Sequence, residues 1–167
     1  ALRSLRRSRK GSRSLMAKVL LDSTFLLPTL GVMVEETGDD ELRLMVELKD
    51  RVEYYCLNQS LVEVLGKVAR SLRRENRVLS IVELGLRSLL ESETYRWINP
   101  TVQAFLKALE LRVKGHRDMI DNMLYATALT NNMYLLSKDD TLLRFLKANN
   151  YATNFIVQIK ELVKILD

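Results

Sequence analysis

The sequence predicts an α/β fold, a central parallel sheet of four or five strands with helices on both faces. Short apolar runs recur between longer amphipathic stretches, the alternation that builds parallel β-α-β units. Two of these runs close on acids far apart in the chain, Asp22 and Asp139. In open parallel sheets ligands sit beyond the carboxyl ends of the strands, so both acids are expected at the same edge.

The elements follow in order. "KVLLD" (Lys18 to Asp22) reads as a buried strand ending in an acid, and "STFLLPTLGV" as a helical segment interrupted near Pro28. "DDELRLMVELKDRVEYYCL" reads as one long amphipathic helix from Asp39 to Leu57, with acids in its first turn. Two further helices begin at Ser60 and Ser80, each opened by Ser-x-x-Glu of capping-box form. "YRWINP" is a strand closed by proline, and "TVQAFLKALELRVKG" a helix stopped by Gly115. "MIDNMLYATAL" is a helix, "TNN" a break and "MYLL" a strand. "DDTLLRFLKANN" is a short helix capped by Asp139 or Asp140, and "NFIVQIKELVKIL" a short strand merging into a last helix.

Of the 167 residues, 47% are hydrophobic and 28% charged, which suits one domain with a substantial core. That domain is expected over 16–167, after a disordered basic leader over 1–15. The leader holds Arg3, Arg6, Arg7, Arg9, Lys10 and Arg13, so the net charge of +5 is concentrated there and the remainder is close to neutral. Such a tail could steer RNA by counterion release, although no aromatic residue is interleaved to stack bases. No apolar run approaches the roughly 20 residues that span a bilayer, so no membrane association and a cytoplasmic location are expected. Cys56 stands alone, which excludes an internal disulfide or a cysteine zinc cluster. His116 is the only histidine, which excludes a two-histidine acid/base ribonuclease. With Arg117 it precedes Asp118 in what reads as a surface loop.

Acids in apolar surroundings need a positive or hydrogen-bonding partner. Asp121 lies within an apolar helix and Asp139 just beyond an apolar strand. Hard divalent cations take oxygen ligands, and one or two such ions can activate water and stabilise charge on a phosphodiester.

These residues resemble PIN-domain nucleases. "VLLDSTFLL" is similar to that family's first strand, with Asp22 at its end and a small hydroxyl residue, Thr24, two positions on. "DNMLYATAL" resembles its helix that begins with an acid, and "LLSKDD" its strand followed by Ser-x-Asp. The resemblance is closest in style to VapC-type toxin ribonucleases, from which the basic leader and the long helix depart. It implies a three-layer α/β/α PIN-like domain and a Mg²⁺- or Mn²⁺-dependent endoribonuclease that is the toxin of a toxin–antitoxin pair. It further implies an RNA substrate, an antitoxin protein partner and a homodimer. The catalytic and metal-holding acids would be Asp22, Glu63, Asp121 and Asp139, with Thr24 and Ser137 as hydroxyl support.

Each acid also has a structural reading. Asp22 could be a turn acid, Asp121 the N3 partner of an Asp118 N-cap, and Asp139 or Asp140 a cap. Glu63 could simply pair with Lys67, and Glu83 sits in the same Ser-x-x-Glu setting. On those readings the chain is a non-catalytic PIN-like module that binds RNA or protein. A phospho-receiver domain fits less well, because "YRWINP" ends without an acceptor aspartate.

Overall fold

A computed structural model describes residues 16–35, 37–75 and 79–167; the expected leader over 1–15 lies outside the described residues. Among the described residues five strands, β1 (Ala17–Leu21), β2 (Val52–Leu57), β3 (Tyr95–Ile98), β4 (Tyr134–Leu136) and β5 (Ile156–Val157), form one sheet. All neighbours are parallel, in the order β3-β2-β1-β4-β5. From central β1 the chain builds outward to β3, then crosses back to β4. The order therefore reverses between β1 and β4, where a parallel sheet opens a crevice at its carboxyl edge.

Side chains alternate across each strand and feed two cores. Val19, Leu21 and Cys56 pack on one face with residues of α1 (Asp39–Glu47), α2 (Asn58–Glu75), α3 (Leu79–Glu91) and α7 (Ile159–Leu166). Leu20, Leu57 and Leu135 pack on the other with α4 (Val102–Val113), α5 (Met119–Thr130) and α6 (Asp140–Ala148). Three layers result, as the sequence predicts. Among the described residues no helix is long and apolar enough to cross a membrane.

The long helix expected from Asp39 to Leu57 is not formed. Its acidic first turn nucleates α1, but α1 ends at Glu47; a 3-10 turn spans Leu48–Asp50, and "VEYYCL" becomes β2. Tyr54 and Cys56 face one core and Tyr55 and Leu57 the other, a two-sided burial that only a strand gives this aromatic-rich run. Tyr54 Oη donates to the Met45 carbonyl at 2.8 Å and fastens α1 to β2. The segment around Pro28 forms two 3-10 turns, Ser23–Phe25 and Pro28–Leu30. The capping boxes expected at Ser60 and Ser80 are also corrected: Asn58 and Leu79 already belong to α2 and α3, so both serines lie inside helices.

Candidate active site

Asp22 follows β1, and its backbone N–H donates to the Leu136 carbonyl at 3.1 Å, extending the β1–β4 ladder by one residue. That extra rung sets the Asp22 carboxylate beside Ser137, which donates its hydroxyl to Asp22 Oδ2 at 3.1 Å. Ser137 Oγ also accepts the Asp139 N–H at 3.1 Å. One hydroxyl therefore links two acids brought together from opposite ends of the chain.

Asp139 is the N-cap of α6; its Oδ1 accepts from Thr141 N–H at 2.8 Å and Leu142 N–H at 3.0 Å. Asp118 caps α5 in the same way, accepting from Ile120 and Asp121 N–H at 2.9 and 3.1 Å. Asp121 is thereby placed in the first turn of α5. The loop ahead of it is held by His116, which is buried rather than on a surface loop. Asn122 Nδ2 donates to the His116 carbonyl at 3.0 Å, and Asn122 Oδ1 lies 2.7 Å from His116 Nδ1. The amide oxygen needs a donor, so the Nδ1–H tautomer satisfies the pair. The histidine ring also packs on Phe145, with ring centroids 5.1 Å apart.

Glu63 arrives from α2. Burial of Val64 and Val68 turns Glu63 and Lys67 toward the 3-10 turn after β1. There Ser23 Oγ lies 3.1 Å from Glu63 Oε1 and 3.3 Å from Asp22 Oδ1. The structure thus brings Asp22, Glu63, Asp121 and Asp139 to one cleft of about 400 Å³. Thr24 lines it too, and Ser137 lies directly beneath. Glu83 does not join them; it pairs with Arg87 at 3.0 Å on the exposed face of α3.

Sequence reasoning missed Ser23, the hydroxyl between Asp22 and Glu63, although it adjoins Asp22. It also missed Lys67 and Lys138 as cleft residues. The i,i+4 spacing of Glu63 and Lys67 was the available signal for the first; Lys138, between Ser137 and Asp139, was another.

Gathering acids raises their affinity for protons. Burial pushes the Asp22 carboxyl up, and the Glu63 charge adds to this, while the Ser137 hydrogen bond and Lys67 oppose it. Asp121 is pushed up to about 9, first by burial, then by Asp118, by a hydrogen bond with Asp139, and by the charges of Asp22 and Asp139. A cation placed among these groups would relieve the same repulsion, and an all-carboxylate donor set suits a hard divalent ion. Among the described residues, however, no three acid, histidine or cysteine side chains stand as a ready-made metal shell. The donors fit in chemistry and need a local adjustment to close on an ion.

An acidic cleft at the switch point of a three-layer parallel α/β/α domain defines the class. The family model of the PIN domain matches residues 19–147, a span that contains all four acids, and the chain belongs to the PIN-domain family. Members of this family are generally nucleases and typically use divalent metals. No curated protein matches the sequence. Among solved structures, the crystal structure of PAE2754 from Pyrobaculum aerophilum superposes with a TM-score of 0.62 at 13% identity, covering 90% of this chain and 89% of that one. A toxin–antitoxin complex from Klebsiella pneumoniae gives a TM-score of 0.48 at 16% identity, covering 83% of this chain and 99% of that one. At 13% identity the first is a likeness of fold alone.

Proposed function

We propose that this chain is a Mg²⁺- or Mn²⁺-dependent endoribonuclease that hydrolyses RNA phosphodiester bonds, and that it is the toxin of a VapC-type pair. The observation that carries the reading is the meeting of Asp22, Glu63, Asp121 and Asp139 in one cleft at the carboxyl edge of β1 and β4. Those four side chains would hold the ion. When bound, it supplies Lewis-acid polarisation of the phosphoryl oxygens and a more acidic attacking water.

The protein's own groups do the rest. Ser137 and Ser23 orient Asp22, and Ser137 ties Asp139 to the same point. The Asp118 cap fixes the first turn of α5 and with it Asp121. Lys67 and Lys138 also line the cleft, each beside a glutamate, Glu63 and Glu41 respectively. An antitoxin partner, a cytoplasmic location and a homodimer belong to the same reading.

One observation favours the alternative of a non-catalytic RNA- or protein-binding module: Asp139 Oδ1 is already engaged by two helix amides. Incubation of labelled single-stranded RNA with the purified chain separates the two. The nuclease reading expects cleavage in Mg²⁺ or Mn²⁺ and none in EDTA. RNA that stays intact with either metal, with antitoxin shown to be absent, would favour the binding module.

A further inference from the structure

Lys67 Nζ lies 2.5 Å from Glu63 Oε1, one helical turn away on α2. Pairs at this spacing on an open helix face contribute little, and α3 supplies the comparison. Its Glu83 and Arg87, also four residues apart, have side chains 66% and 58% exposed. Those of Glu63 and Lys67 are only 27% and 31% exposed, and both line the acidic cleft.

The ammonium also donates to Ser23 Oγ at 3.3 Å. Ser23 is buried, and the same Oγ lies against Glu63 Oε1 and Asp22 Oδ1. Lys67 therefore belongs to a polar chain that runs from Glu63 through Ser23 to Asp22. Its positive charge acts on Asp22 as well, opposing the rise in that carboxyl's pKa. Lys138, on the other wall, is paired with Glu41 of α1 at 2.5 Å.

We propose that Lys67 is a resident counter-ion for the cleft, which a divalent cation must displace from Glu63 as it loads. The lysine then sets the cation concentration at which the site fills. This inference rests on the metal-dependent reading given above. The physical ground is that an ammonium 2.5 Å from Glu63 Oε1 would stand close to a doubly charged ion held by the same carboxylate, so the two compete for its charge. Like charges at such separations oppose each other strongly where water is partly excluded.

Removing the ammonium has two consequences of opposite sign. Without metal, Glu63 and Asp22 lose their shared positive neighbour, so the protein becomes less stable. With metal, the ion meets no competitor and binds more tightly. A side chain that merely packs would give the first effect and not the second.

The test is Mn²⁺ titration by isothermal calorimetry on the full chain, with metal-free melting temperatures measured alongside. Lys67→Met is expected to bind Mn²⁺ about tenfold more tightly than wild type and to melt at a lower temperature without metal. Lys67→Arg, which keeps the charge, should bind as wild type does. If Lys67→Met folds poorly, Lys67→Gln, which retains a donor for Ser23, should show the same tightening. Equal or weaker Mn²⁺ binding by the uncharged variants overturns the proposal while leaving the metal-dependent reading in place. If neither wild type nor any variant binds Mn²⁺, that reading fails and this inference falls with it.

Discussion

Ser137 donates its hydroxyl to Asp22 Oδ2 at 3.1 Å across 115 residues of sequence, and this bond joins the ends of β1 and β4 at the point where the sheet order reverses. Both residues are buried, so the carboxylate oxygen depends on protein donors. Ser137→Ala removes a hydrogen bond to a charged group and leaves that oxygen short of a partner. The expected cost is about 1.5–3 kcal/mol of stability, read by urea denaturation, together with slower RNA cleavage. A variant as stable as wild type would show that this bond does not hold the site together.

The cleft should make metal-free stability depend on pH with a definite sign. Asp121 titrates at about 9 in the folded protein against an ordinary value of 3.8, so folding favours its protonated form. The resulting stabilisation is complete below about pH 4 and is lost as pH rises toward about 9. Asp22, also raised, adds in the same direction. Because a cation competes with protons for these carboxylates, Mn²⁺ should raise the melting temperature more at pH 8 than at pH 5.5. Thermal melts at both pH values, with and without Mn²⁺, check this; an equal or smaller rise at the higher pH would contradict it.

Two helix glycines should respond oppositely to alanine. A Cβ on Gly85 would collide with the Thr29 carbonyl oxygen and with Leu30, because α3 packs directly on the 3-10 turn Pro28–Leu30. Backbone cannot move aside cheaply, so Gly85→Ala should destabilise by about 1–3 kcal/mol. Gly66 in α2 has open space, and Gly66→Ala should stabilise by about 0.5–1 kcal/mol. Denaturant midpoints of the two variants give the comparison, and the same sign in both would refute this packing account.

The buried His116–Asn122 clamp should matter for stability and for the position of Asp121. Asn122→Ala leaves the His116 carbonyl and Nδ1–H without their partner and opens a void, for about 2–3 kcal/mol. Chemical denaturation measures the loss. A change below about 0.5 kcal/mol, the range typical of surface substitutions, would show that the clamp is incidental.

Much of this was legible in the sequence, and the exceptions have physical causes. β1, β3, β4 and β5 could be read because each is a short apolar run bounded by turn residues or proline. β2 was not, since the helical period of α1 runs into "VEYYCL" with no glycine or proline to mark the break. The stop is a 3-10 turn, and the surviving signal was the aromatic-rich composition of the run. Asp118 was readable as a cap because capping follows local spacing, and it caps α5; the same spacing left the cap of α6 open between Asp139 and Asp140, and Asp139 takes it. Ser60 misled because its Ser-x-x-Glu spacing matches a capping box, while the structure buries it inside α2. That Glu63 faces the cleft and Glu83 faces solvent could not follow from identical local patterns. The packing of Val64 and Val68 decides it.

RNA hydrolysis at the acids around Asp22 stands or falls on Asp22 itself. Its most direct measurement is the initial rate of cleavage of a labelled single-stranded RNA in Mn²⁺ by wild type and by Asp22→Asn. The amide retains an acceptor for Ser137 and removes a charge that repels Glu63, so the variant should fold and melt at or above the wild-type temperature without metal. Wild type should cleave in Mn²⁺ and stop in EDTA, and Asp22→Asn should cleave more slowly by roughly a hundredfold or more. An Asp22→Asn protein that cleaves as fast as wild type would contradict this.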